Sequence, residues 1–143
     1  MREEEKHKIE VHVATICVRN YKVLVAKRSP SRELYPDLWE CGGGQVKGGE
    51  DFEEAAKRQL KEEFGVVAEP TRVVDTYSIK TEDGGKIPGV VYACEFIGFV
   101  KDGPDLSEEH TDYRWQPVDG IGEINLIPGV KENIEKAYSS IKG

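Results

Sequence analysis

Little in this chain invites a staple, a membrane or a polyanion. Cysteine is scarce: Cys17, Cys41 and Cys94 are an odd number, lie far apart and form no C-x-x-C or Cys/His spacing. That pattern excludes a disulfide framework and a zinc site, and packed thiols in a reducing, cytoplasmic compartment are the expectation. No run of eighteen apolar residues occurs, and the charged start MREEEKHKIE lacks an apolar h-region, so neither export nor a membrane span is expected. Positive charge is short as well. Lys and Arg number 20 against 27 Asp and Glu, a net charge of -7. Such a balance argues against binding a nucleic-acid polymer, which relies on clustered cations releasing counterions. An anionic ligand would need a local cation, supplied by a few basic side chains or a metal. There is no internal repeat, low-complexity tract or linker, and 143 residues with 38% hydrophobic content read as one domain over 1–143.

What is present is a sequence of two-faced strands and two helices. IEVHVATICV, Ile9 to Val18, is apolar on both alternating sets, with Ile9, Val11, Val13 and Cys17 on one side and Ala14, Ile16 and Val18 on the other. Such a strand is covered on both faces. RNYK turns into a second strand, Val23 to Lys27, and Arg28 to Asp37 is a polar loop. VVAEPTRVVDTYSIK supplies one or two strands, EDGGK a hairpin turn, and VVYACEFIGFV, Val90 to Val100, another two-faced strand. KDGPDLSEEHTDY reads as a loop and RWQPV as a short strand. In PGVKENIEKAYSSI, Val130, Ile134, Ala137, Tyr138 and Ile141 share one face of a final helix. Two-faced strands and two helices placed apart predict a mixed β-sheet between helices, an α/β architecture.

The chemistry concentrates in GGGQVKGGEDFEEAAKRQLKEEFGV, Gly42 to Val66. Asp51 as N-cap with Glu54 three residues on is a capping box, so the helix runs from Phe52 to Phe64 with Gly65 as its stop. Phe52, Ala56, Leu60 and Phe64 form its apolar stripe, and Glu63 stands at the edge of that stripe with Gln59 one turn behind. A solvated, salt-laced surface helix accounts for Lys57 and Lys61 but poorly for Glu63. Carboxylates crowded on one arc repel unless a cation sits among them, and hard oxygen donors suit Mg²⁺ or Mn²⁺. The glycines before the helix let the loop offer carbonyls to a metal or amides to phosphate. An Arg58 to Glu62 pair is also available on the helix surface.

The spacing of Gly44, Glu50, Arg58, Leu60, Glu62, Glu63, Gly65 and Val66 resembles the Nudix box, G-x5-E-x7-R-E-U-x-E-E-x-G-U with U a bulky aliphatic. One position departs: Gln59 stands where the family has glutamate. LWECGGG, VLVAKRS and SEEHTDYRW extend the similarity beyond the box. The resemblance implies a Nudix fold, an α/β/α sandwich with a mixed β-sheet. It also implies a Mg²⁺-dependent (or Mn²⁺-dependent) pyrophosphohydrolase cleaving a nucleoside diphosphate linked to X by water attack at phosphorus. Chain length favours the mutator-type enzymes acting on nucleoside triphosphates. Carried over by position, Glu63 is the principal metal ligand, joined by Glu62, the Gly43 carbonyl and the amide oxygen of Gln59. Glu50 and Arg58 form a bracing ion pair, and Glu109 is a ligand or base, with Glu108 as rival and Glu62 as the other candidate base. Lys27, Arg28, Lys47 and Gly44 are candidates for the substrate phosphates, and Tyr35, Trp39 and Tyr77 for stacking on a base. His110 is expected in solvent without a role. A glutamine amide takes no proton from water at neutral pH. The alternative reading is therefore a weak or inactive nucleotide-binding sensor module. A homodimer is compatible with the sequence.

Overall fold

The computed structural model describes residues 6–142, so the first half of the charged start MREEEKHKIE lies outside the described residues. In chain order it forms β1 (His12–Arg19), β2 (Lys22–Arg28), β3 (Trp39–Glu40), β4 (Gly43–Gln45), α1 (Phe52–Phe64), β5 (Val66–Lys80), β6 (Lys86–Phe99), β7 (His110–Pro117), a 3₁₀ turn (Val118–Glu123) and α2 (Val130–Lys142). Seven strands make one mixed sheet. β1 and β6 run parallel, and the other pairings between these strands are antiparallel.

The two alternating faces of the strands feed two separate cores. On one side Val13, Cys17, Leu24, Ala26 and Cys94 pack with Ala56, Leu60 and Phe64 of α1. On the other, Ile16, Val18, Val23, Val25, Val91 and Ala93 pack with Ile134 and Ala137 of α2. The sheet thus lies between two helices, the α/β/α sandwich expected from two-faced strands. All three cysteines are free and buried. Among the described residues no helix is long and apolar enough to cross a membrane.

Two local expectations need correction, and one left open is decided. β1 begins at His12 rather than Ile9, which is left exposed because the strand finds its partners on β4 and β6 only from residue 12 onward. VVAEPTRVVDTYSIK is a single strand that absorbs Pro70 through register shifts against β6. HTDY is strand, not loop, since β7 pairs with β2 from Arg28↔His110 onward.

The feature that creates a site is a gap in the sheet. β1 and β2 pair only next to their turn, at Val18↔Val23 and Arg19↔Lys22, and then part. Beyond that point β3 pairs with the end of β2 and β4 with the start of β1, so residues 39–45 cross from one strand to the other. Thr15 holds the crossing, its amide donating to the Gly42 carbonyl (3.2 Å) and its hydroxyl to that of Cys41 (3.3 Å).

Candidate active site

α1 forms as its sequence predicts. Asp51 accepts from the Glu54 amide (2.8 Å), the Glu54 side chain returns a bond to the Asp51 amide, and Gly65 closes the helix in the left-handed region at φ 66. The last carbonyls of such a helix lack partners within it. Here the acidic loop after β6 supplies them: the Asp105 amide donates to the Phe64 carbonyl (2.8 Å) and the Ser107 amide to the Glu63 carbonyl (3.0 Å). The loop bearing Glu108 and Glu109 is thereby docked on the end of α1.

Glu63 is 7% exposed and accepts from the Gly43 amide at 3.1 Å. The approach requires glycine. Gly42 lies at φ 97 and Gly43 at φ 136, and a Cβ at Gly42 would stand 2.6 Å from a Glu63 carboxylate oxygen. Burial pushes the Glu63 carboxyl up to about 8; the Gly43 amide opposes the rise, and the carboxylates of Glu109 and Glu40 reinforce it. Gln59, also buried, rests against Gly44 and donates its amide to the Gln45 carbonyl at 3.4 Å.

Arg58 presents the opposite case. Its guanidinium meets both oxygens of Glu50 (2.7 and 3.0 Å), the Gln45 carbonyl (2.8 Å) and Glu62 (3.0 Å). Glu50 also accepts from the Lys47 amide at 2.9 Å, so the pair ties the glycine loop to the helix. Arg58, followed by that amide, holds the Glu50 carboxyl below its usual range.

His110 is a correction. Its side chain is only 1% exposed, packs at a tilt against Phe64 with ring centroids 5.2 Å apart, and bonds through Nε2 to Glu40 at 2.9 Å. The docking of the acidic loop carries it inward. Glu40 also accepts from Arg28 at 2.8 Å, while Arg28 Nε donates to the Leu34 carbonyl at 2.9 Å. Burial raises the Glu40 carboxyl, but the bonds from His110 and Arg28 outweigh it and leave it below its usual range. One carboxylate therefore clamps the end of β2, the following loop and the start of β7. Sequence reasoning does not reach Glu40, and it gives its partner seventy positions on no role. Glu40 stands in the LWECGGG lead-in, which is the only signal.

Two clefts meet at Gly43, Gly44, Glu63 and Glu109. One, of about 500 Å³, is acidic and includes Gln59, Glu62, Ser107 and Glu108. The other, of about 570 Å³, has Arg28, Arg32 and Glu40 along with an apolar wall that includes Ile16, Tyr77 and Ile127, and Asn133 from α2. Lys27 and Lys47 line neither cleft, and Arg28 lines the second already bound to Glu40. Of the three aromatics considered for stacking, Tyr77 reaches the cleft, Trp39 is in the core beneath Arg114, and Tyr35 lines neither cleft. Among the described residues no three His, Cys, Asp or Glu side chains converge into a metal cage. Mg²⁺ seldom uses such a cage; it takes one or two carboxylates and completes its shell with water and substrate phosphate. Glu63, raised first by burial and then by the carboxylates of Glu109 and Glu40, suits that mode, since a cation would relieve both.

A NUDIX domain profile matches residues 6–138. The chain belongs to the Nudix family. Nudix hydrolases act on pyrophosphate bonds and generally use divalent cations, and this chain is a hydrolase of that class. The nucleoside triphosphatase NudI of Enterobacter sp. (strain 638) is 26% identical over 121 residues, 80% of this chain and 86% of that protein. NudI of Escherichia coli O81 (strain ED1a) is 29% identical over 118 residues, 78% and 84% of the two chains. Among solved structures, a NUDIX hydrolase from Nitrosomonas europaea gives a TM-score of 0.74 at 20% identity, covering 93% of this chain and 90% of that one. The MutT protein of Methanosarcina mazei Go1 gives 0.71 at 20% identity, covering 98% and 100%. The structural likenesses support the Nudix fold.

Proposed function

We propose that this Nudix domain, acting as one unit over 1–143, is a Mg²⁺- or Mn²⁺-dependent pyrophosphohydrolase of nucleoside triphosphates. The observation that carries the reading is Glu63: a buried carboxylate, bonded to the Gly43 amide, crowded by acids and placed where an acidic cleft meets a partly apolar one. Glu63 and Glu62, with the Gly43 carbonyl and the Gln59 amide oxygen, would hold the cation. A divalent ion bound there neutralises phosphate charge and makes water a better nucleophile. The apolar wall with Tyr77 takes the base, and the phosphates run toward Glu63. The NudI relatives, named as nucleoside triphosphatases, support a triphosphate substrate. Buried, unpaired thiols support a cytoplasmic setting.

Glu109 is the better candidate for the base. The Glu62 carboxylate is engaged by Arg58 at 3.0 Å, whereas the Glu109 side chain is 50% exposed and its nearest cation, Arg32, stands off at 3.9 Å. Glu109 takes the proton as the water oxygen bonds to phosphorus and the bridging P–O bond breaks, leaving a nucleotide and a phosphorylated remainder. Nucleoside triphosphates incubated with Mg²⁺ or Mn²⁺, read by phosphate and pyrophosphate release, test the reading. Metal-dependent release from at least one is expected, with Glu109→Gln lowering kcat about 10²-fold or more. Metal-dependent nucleotide binding without release would favour the sensor reading, for which the uncharged Gln59 is the one structural argument.

A further inference from the structure

The phosphate chain of such a substrate carries several negative charges into a protein of net charge -7, so cations at the cleft decide how it is held. Among the described residues lining the two clefts, the permanent cations are Arg28 and Arg32. Arg28 is committed to Glu40 and the Leu34 carbonyl. Arg32 is not. Its Nη1 is buried without a hydrogen-bond partner, and the Glu109 carboxylate is 3.9 Å away, too far for a hydrogen bond. A buried donor left unmade is costly, and a guanidinium fork matches phosphate oxygens in pairs.

The loop that carries it is set by backbone bonds. The Arg32 amide donates to the Ser29 carbonyl (3.1 Å), and the Ser29 amide to the Glu109 carbonyl (2.9 Å), which ties the arginine's loop to the acidic loop. Arg32 and Glu109 line the mixed cleft together with Glu63 and Gly43, the residues through which that cleft opens into the acidic one. A nucleotide with its base beside Tyr77 and its phosphates toward Glu63 passes this junction.

We propose that Arg32 is a substrate-binding residue that takes non-bridging phosphate oxygens of the nucleotide, with Glu109 as its counter-ion in the free protein. The proposal rests on the placement of substrate given under Proposed function.

Calorimetric titration of the full chain with α,β-methylene nucleoside triphosphates in Mg²⁺ tests it without needing turnover. Arg32→Gln is expected to weaken binding about 10- to 100-fold, the scale of a lost charged hydrogen bond, and Arg32→Lys less. The thermal midpoint should stay unchanged, and the loss should persist in a Glu109→Gln background. Wild-type affinity in Arg32→Gln overturns the proposal. So does a loss that vanishes once Glu109 is Gln, which would make Arg32 only a holder of that side chain. A wild type that binds the analogues but hydrolyses no triphosphate defeats the hydrolase reading alone, with the Arg32→Gln loss still supporting this one. A wild type that binds none of them overturns both.

Discussion

The carboxylates in and just before α1 stand under opposite conditions. At Glu50 and Glu62 the carboxylates surround Arg58, which meets them at 2.7 to 3.0 Å. At Glu63 the neighbours are Glu109 and Glu40, and the one direct donor is the Gly43 amide. Charge that is matched inside the protein braces a loop. A carboxyl left without a cation, at the cost of burial and repulsion, stands where the proposed metal ion would bind. Glu62, bonded to Arg58 at 3.0 Å and lining the acidic cleft, belongs to both sides, so the contrast is cleanest between Glu50 and Glu63, and each should respond to mutation in its own way.

The sharpest break is Glu63→Gln. It should lower metal-dependent turnover by about 10³-fold or more, the scale of losing a cation's charge stabilisation. The same change should raise the thermal midpoint of the metal-free protein at pH 9, because it removes an anion from a crowded, buried place. Scanning calorimetry in EDTA alongside steady-state kinetics reads both, and a fall in both quantities would place Glu63 with the braces instead.

Gln59→Glu sharpens the unmatched side. An added anion within about 5 Å of a divalent ion remains strongly favourable at an effective dielectric near 20, so Mg²⁺ or Mn²⁺ affinity should rise about tenfold or more. The metal-free variant should lose stability, since the amide that bonds the Gln45 carbonyl becomes an acceptor beside further acids. Metal titration by calorimetry and melting in EDTA separate the two effects.

Arg58→Ala tests the matched side. With Glu50, Glu62 and the Gln45 carbonyl left without their shared donor, the thermal midpoint should drop by a few degrees with or without metal. Activity should fall because the glycine loop is no longer held to α1. An unchanged midpoint would mean that solvent replaces the arginine and that the brace is decorative.

A further test is one of pH. Folded Glu63 titrates near 8 against an ordinary 4.5, so between those values the native state binds a proton that the unfolded chain has released. Stability from this group is complete below 4.5 and is lost as pH rises through 8. Melts of the metal-free protein between pH 5 and pH 9 should show that decline, and saturating Mg²⁺ should flatten it. Glu40 and Glu50, held low by their partners, act oppositely and weaken the fold toward acid.

Much of this was open to reading before any coordinates. Strands apolar on both alternating sets require a cover on each face, which is why the sandwich could be expected from Val13 and Cys17 against Ile16 and Val18. The capping box at Asp51 and Glu54 and the stop at Gly65 are local backbone chemistry, complete within a turn of chain, and so the bounds of α1 were legible. So was the Glu50 and Arg58 pair, through its resemblance to a known spacing. His110 runs against its composition, which places a histidine among acids in water, whereas the docking of its loop on the Phe64 and Glu63 carbonyls carries it into the protein.

By itself, then, the sequence determined the periodicities, the caps, the glycines that admit Glu63 and the order of the acids along α1, since each depends on neighbours within a few residues. Only the tertiary structure decided which charges are matched. That depends on the parting of β1 and β2, which lays residues 39–45 across the gap. It depends also on the acidic loop docking at the end of α1, which brings Glu40, Glu63, Arg32 and Glu109 around one junction from four separate segments. Coulomb energies fall with distance in space and are indifferent to distance along the chain, so a local pattern cannot say which carboxylate meets an arginine and which meets another acid.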